Sequence, residues 1–277
     1  MKIAISNLAW LNKEEDLIAD LLQEFQVQGI DIALTKIWQN PLTVSLSEIK
    51  SYRSFWQNRG ISLVGMQSLL YGRPELTLFE SSQQREGMFY YLSKLIEIGH
   101  HLGIQILVFG SPKQRKRGNL PPEIVEEIAI YFFARIGEVV KQYDMTFCIE
   151  PNPTVYGCDF ITTSQEGYEL VSQVNHQGFG LHLDAAGMTL SQDFFPSALT
   201  MALPKLCHFH ISEPQLKVIG EGKVNHQLLG QILKDLHYQG WTSIEMLAQS
   251  DFDNSQNVIK ALKIANQYYG NPLKPRF

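Results

Sequence analysis

The sequence predicts an α/β fold, a single (β/α)8 barrel over residues 1–277, and three observations carry that prediction. Strand-like and helix-like segments take turns eight times along the chain. Four segments of the second half each end an apolar run on a residue that can bind a metal, as a parallel barrel with its site at the carboxyl ends of its strands requires. The first strand pattern runs on through AISNLAW, without the glycine-rich phosphate loop that an open doubly wound sheet would want there.

In chain order the predicted strands are 2–7 (KIAISN), 30–35 (IDIALT), 61–66 (ISLVGM), 104–109 (IQILVF), 145–150, 179–184, 206–211 and 241–246. Helical patterns lie between them near 14–27, 46–58, 82–102, 121–142, 163–175, 193–202, 225–239 and 254–269. Thr163 and Ser164 ahead of Gln165 and Glu166, and Asn225 ahead of LLGQIL, are helix start signals. Gly60, Gly103, Gly178 and Gly240 each stand between a helix and the next strand, where a helix C-terminal glycine is expected. Nothing reads as a linker or short repeat, so eight parallel-type units favour one closed barrel over two domains.

With 44% hydrophobic and 18% charged residues the chain can bury a sizeable core. A net charge of −5 gives no general attraction for nucleic acid or an anionic membrane. No apolar stretch has membrane-spanning length, and MKIAISNLAW lacks the basic start, long apolar region and cleavage site of a signal peptide. Cys148, Cys158 and Cys207 cannot all pair and none lies in a CxxC, so they read as reduced thiols of a cytoplasmic protein.

The four special segments are MTFCIE to Glu150, FGLHLD to Asp184, LCHFH to His210 and WTSIE to Glu245. Side chains two apart share a strand face, so Glu150, Cys148 and Thr146 oppose Ile149, Phe147 and Met145. Likewise Asp184, His182 and Gly180 oppose Leu183, Leu181 and Phe179; His210 and His208 oppose Phe209 and Cys207; Glu245 and Ser243 oppose Ile244 and Thr242. The potential ligand is last on the polar side each time. Spacings of 34, 26 and 35 residues are each about one β/α unit, which puts the four on adjacent parts of one rim. One acidic strand end alone is an ordinary loop-facing charge; four in phase on consecutive strands predict one divalent ion. Carboxylates favour Mg2+ or Mn2+, and the imidazole also admits Mn2+, Co2+ or Zn2+.

The pieces IEP (149–151), LHLDAAG (181–187), HFHISE (208–213), GEGKVN (220–225) and SIEML (243–247), with the opening KIAISNLAW and GIDIALTKIW, carry a resemblance over essentially the whole chain. The chain resembles the xylose isomerase-like TIM barrel superfamily, in its sugar phosphate isomerase/epimerase branch, which includes the ketose 3-epimerases. The resemblance implies that Glu150, Asp184, His210 and Glu245 bind one divalent ion, and that Glu150 and Glu245 are the acid/base pair on opposite faces of a bound sugar. It also implies a homodimer or homotetramer.

The implied reaction is physically coherent. A proton beside a ketone is too weakly acidic for a free carboxylate to remove quickly, and a chelated ion that stabilises the enediolate changes that. A glutamate in hydrogen-bond reach takes the proton. Its return to the opposite face of the same carbon is epimerisation; return to the adjacent carbon is aldose–ketose isomerisation. Dehydration of a ring ketone uses related chemistry.

Two positions depart from the pattern. Gly187 stands where many relatives carry a histidine three residues after the aspartate, and the sugar-binding arginine expected after the seventh-strand histidine is absent, Lys217 being the nearest cation. Two rival readings follow: a non-catalytic sugar-binding barrel, and a metal-dependent phosphoesterase or endonuclease of the same superfamily. The second wants more histidines and a basic groove.

Further candidates have two readings each. Lys113, Arg115, Lys116 and Arg117 in GSPKQRKRG are a clamp for a phosphate or carboxylate of the substrate, or a solvated basic loop. Arg73 is a second candidate cation. His182 and His208 are ligands, orient the carboxylates, or serve as interior hydrogen-bonding groups, and His182 is also a candidate substrate contact. Trp38, with Trp10 and Tyr71, forms an apolar wall for a sugar face or packs the rim. Glu213 contacts substrate or caps the next loop. Pro151 and Pro153 stiffen the backbone behind Glu150. The expected partner is a small sugar or sugar phosphate, not nucleic acid or membrane.

Overall fold

Eight parallel strands close into a barrel in the order of the chain, β1 to β8, in a computed structural model that describes residues 1–250 and 253–270. The last seven positions of the expected 1–277 span lie outside the described residues. The elements are β1 Lys2–Ser6, α1 Glu15–Glu24, β2 Gly29–Ala33, α2 Leu34–Ile37, α3 Leu46–Gln57, β3 Ser62–Gln67, α4 Ser82–Leu102, β4 Ile106–Phe109 and α5 Pro122–Lys141. Then follow β5 Thr146–Ile149, α6 Ser164–Val174, β6 Phe179–Asp184, α7 Ala185–Leu190, α8 Phe195–Ala202, β7 Leu206–Ser212, α9 His226–Asp235, β8 Trp241–Glu245 and α10 Asn254–Tyr268. This is the (β/α)8 arrangement the sequence predicts.

The core lies between the barrel and its helices. Helix α5 buries Val125, Ala129, Phe132, Phe133, Ile136 and Val140, each with another of them three or four residues away, as an amphipathic helix must. Phe133 stacks on Phe179 of β6 at 4.7 Å between ring centroids. Thr163 caps α6 through the amide of Glu166, and Asn225 caps α9 through that of Leu228. Gly103 ends α4 at φ 82°, the left-handed turn its lack of a side chain permits. The expectation fails at Gly178 and Gly240: Asn175 (φ 44°) and His237 (φ 54°) take the left-handed positions before them, and Asn and His are among the non-glycine residues found there most often.

The barrel interior is unusually polar at its upper end, with Ser6, Asn7, Asp31, Gln67, His182, Asp184, His208, His210, Ser212 and Ser243 all buried. Two register shifts help to set this layer. Between β2 and β3 the pairing passes from Ile30↔Leu63 to Asp31↔Gly65, and between β6 and β7 from Leu181↔Leu206 to His182↔His208. Val64 and Cys207 are the extra residues. Such bulges re-aim side chains, and Cys207, expected on the helix side, instead puts its sulfur where a Gly180 side chain would be.

Candidate active site

The four sequence-predicted ligands meet at the carboxyl end of the barrel. Glu150 follows β5, Asp184 ends β6 and Glu245 ends β8; His210 is two residues short of the end of β7, where Ser212 stands above it on the same face. Ligand atoms of Glu150, Asp184 and His210 lie within 4.8 Å of one another. Glu245 joins them, its Oε2 being 3.4 Å from His210 Nδ1. All four line one cavity of about 390 Å3.

Each side chain is held from behind. The Glu150 amide donates to the Phe109 carbonyl, and its own carbonyl accepts from Arg115 Nη2 at 2.7 Å. Its carboxylate rests against Gly110, where a Cβ would lie 2.3 Å from Oε2. Asp184 caps α7, accepting the Gly187 amide at 2.6 Å, and its other oxygen accepts the Ser212 hydroxyl. Gln67 donates its amide to Glu245 Oε1. His210 Nε2 lies 3.3 Å from Asp31 Oδ2, which also binds His208 Nε2 at 2.7 Å.

The electrostatics are those of crowded, buried carboxylates. Burial, then the charges of Asp184 and Glu245, push the Glu150 carboxyl up to about 8. Burial and Glu245 raise Asp184 to about 6. Burial opposes charge on His210, but Glu245 and Asp31 outweigh it and lift its pKa well above the ordinary range. Burial, with His210 and His208 nearby, holds His182 well below its ordinary value. Three crowded carboxylates and one imidazole are an O-rich donor set, and a divalent ion would relieve their mutual repulsion, so the residues fit such an ion.

The other sequence candidates lie elsewhere. Arg115 is fully buried, its Nη2 turned under the loop onto the Glu150 and Ile161 carbonyls, and it does not line the cavity. Lys113, Arg117 and Lys217 are exposed and do not line the cavity. His182 is buried beneath Glu150, 3.9 Å from Oε1, and is not in the cavity wall. Trp38 packs on Tyr52 beside a shallow groove with Glu15 and Phe55. Arg73 pairs with Glu75, and Trp10 is buried against Trp56. Glu213 accepts from the Gly220 and Val224 amides and lies 3.2 Å from His226 Nε2, so it caps the next loop.

Residues the sequence reading missed complete the wall, among them Gln67, Ser68, Ser111, Asn152, Tyr156, Gln215, Leu216 and Leu247. Four of its non-glycine residues hold positive φ: Ser68, Ser111, Gln215 and Leu216. Such strain gathers at functional sites. Asp31, flanked by isoleucines in an apolar strand, was a readable signal, because a buried charge needs a partner.

Over 110 residues the chain is 30% identical to D-psicose 3-epimerase of Ruminiclostridium cellulolyticum, a match covering 40% of this chain and 37% of that enzyme. Its structure matches that of a D-psicose 3-epimerase with D-tagatose from Clostridium cellulolyticum H10 at TM-score 0.82 and 18% identity, over 98% of this chain and 100% of the other. It also matches an IOLI protein with a binding zinc atom at TM-score 0.77 and 16% identity, over 97% and 98% of the two chains. At such identities the structural likeness establishes the fold. The family model for the xylose isomerase-like TIM barrel matches residues 19–268, and the chain therefore belongs to that family.

Proposed function

We propose that the protein is a divalent-metal-dependent epimerase or isomerase of a free ketose, in which Glu150 and Glu245 move the proton. The observation that carries this reading is the pair of glutamates in one cavity with Asp184 and His210. These four residues would hold the ion. When bound, it supplies Lewis acidity that stabilises negative charge developing on the sugar oxygens.

The chain's own residues supply the rest. One glutamate removes the proton beside the carbonyl from one face of the sugar, and the other returns a proton to the opposite face. Gln67 holds Glu245 Oε1, so that Oε2, 3.4 Å from His210 Nδ1, is the oxygen that would carry the proton. Gly110 and the Arg115-bound carbonyl hold Glu150 in place. Among the described residues none of those lining the cavity is Lys or Arg, which favours an uncharged sugar over a sugar phosphate and speaks against a phosphodiester. The likeness to D-psicose 3-epimerases supports a ketose and carbon 3 as the reacting centre.

Incubation of the Mn2+-loaded protein with a panel of ketoses and ketose phosphates in deuterated water tests the proposal. Deuterium enters carbon 3 of at least one free ketose, with its epimer accumulating. If no sugar gains deuterium at carbon and none is converted, the reading fails.

A further inference from the structure

Beneath the acidic cluster, Asp31 sits in the middle of β2 with 1% of its side chain exposed. No function so far described uses this group, yet a buried carboxylate is among the costliest residues a barrel can hold without a partner. Its Oδ2 lies 2.7 Å from His208 Nε2 and 3.3 Å from His210 Nε2. We propose that Asp31 is a positioning residue that fixes the tautomer of His210 and so aims its Nδ1 lone pair at the metal.

The argument is one of donors and acceptors. A carboxylate only accepts, so both imidazoles must place a hydrogen on Nε2 to satisfy it. A neutral imidazole carries one hydrogen, so in His210 Nδ1 is then the lone pair, and Nδ1 is the atom 3.4 Å from Glu245 Oε2. Without Asp31 the preference reverses. Glu245 is itself an acceptor, and the other tautomer would donate Nδ1–H to it, closing off the ligand atom. Asp31 therefore competes with Glu245 for the same hydrogen from the far side of the ring.

The backbone is arranged to permit this. A Cβ at position 65 would stand 2.3 Å from Asp31 Oδ1, and the β2/β3 shift brings Gly65 opposite Asp31 in place of Val64. The β6/β7 shift falls at His182↔His208, at the start of the segment that carries both histidines bound to Asp31. Both irregularities of the barrel thus border one hydrogen-bond network, as expected where bulges re-aim side chains.

The inference rests on the metal reading, and metal binding by the wild-type protein separates the two. Titration calorimetry of the full chain with Mn2+ is run for wild type, Asp31→Asn and His208→Asn. Asp31→Asn weakens Mn2+ binding by roughly 10- to 100-fold, the usual effect of losing a partner behind a metal-bound histidine. His208→Asn keeps the Asp31–His210 contact and leaves affinity near wild type. Nitrogen-15 spectra of the Zn2+-loaded proteins show one His210 species protonated at Nε2 in wild type and His208→Asn, and loss of that single species in Asp31→Asn. A change in stability alone would not move that signal. Should Asp31→Asn not fold, Gly65→Ala displaces the carboxylate and weakens binding in the same direction. Wild-type affinity in a folded Asp31→Asn, or an equal loss in His208→Asn, overturns the proposal. No Mn2+ binding by wild type overturns the metal reading with it.

Discussion

Glu150, one of the two proposed proton carriers, illustrates how much support a single side chain of this cavity receives. Its peptide is pinned on both sides, by Phe109 and Arg115, and its carboxylate fits only because residue 110 has no side chain. Gly110→Ala should displace the carboxylate and lower kcat while the barrel stays folded, as circular dichroism and steady-state kinetics would show. Glu150→Gln and Glu245→Gln remove the proposed proton carriers, and each should cut kcat by roughly 10^2- to 10^4-fold; a variant retaining wild-type turnover would remove that residue from the mechanism. At this scale the sequence disclosed what strand ends carry. It marked Asp31 as a buried charge but not its partner His208, 177 positions away, and it gave no sign of Gln67. Nor did it give the direction of Arg115: a run of four cations looks solvated until the carbonyls of residues 150 and 161 are known to need a donor.

At the scale of elements, alternation and spacing were enough to find all eight strands and the eight long helices, because each buries a regular apolar stripe. The short helices Leu34–Ile37 and Ala185–Leu190 escaped, being too brief to show a period. The second is nucleated by the site itself, since Asp184 is its cap. Ser212 joins these pieces: its hydroxyl donates to Asp184 and accepts the Ala186 amide at 3.0 Å. Ser212→Ala leaves that buried amide unpaired, a loss of about 1–3 kcal/mol, and frees one oxygen of Asp184. Denaturant unfolding should report the loss and calorimetry a weaker metal; unchanged stability would mean that water replaces the hydroxyl.

Over the whole molecule, the crowded carboxylates make stability depend on pH, and the proposed ion should change that dependence. Glu150 and Asp184 have folded pKa values raised to about 8 and about 6, above those of an unfolded chain. Their contribution is therefore present at low pH and is lost as pH rises through about 6 and then about 8. His210, also raised, has the same sign. Asp31 is different: burial would raise it, but His208 and His210 hold it well below the ordinary carboxylate range, so its contribution is lost only in acid. The metal-free protein should melt at a lower temperature at pH 9 than at pH 6, and Mn2+ should narrow or reverse that difference because the ion replaces the protons. Thermal unfolding with a chelator and with Mn2+ measures both slopes; a metal-free Tm that rises with pH would contradict the crowding of carboxylates.

Arg115 also bears on how the protein can be re-engineered. Barrel loops are commonly regarded as interchangeable parts fixed to a constant frame. Here the loop after β4 grips the one after β5 through Arg115 on the carbonyls of residues 150 and 161, and through the Arg117 and Gly118 amides on Asp159. The two behave as one cassette. Grafting either alone from another barrel would strand a buried guanidinium or leave Glu150 without its backing, so transplantation has to carry both.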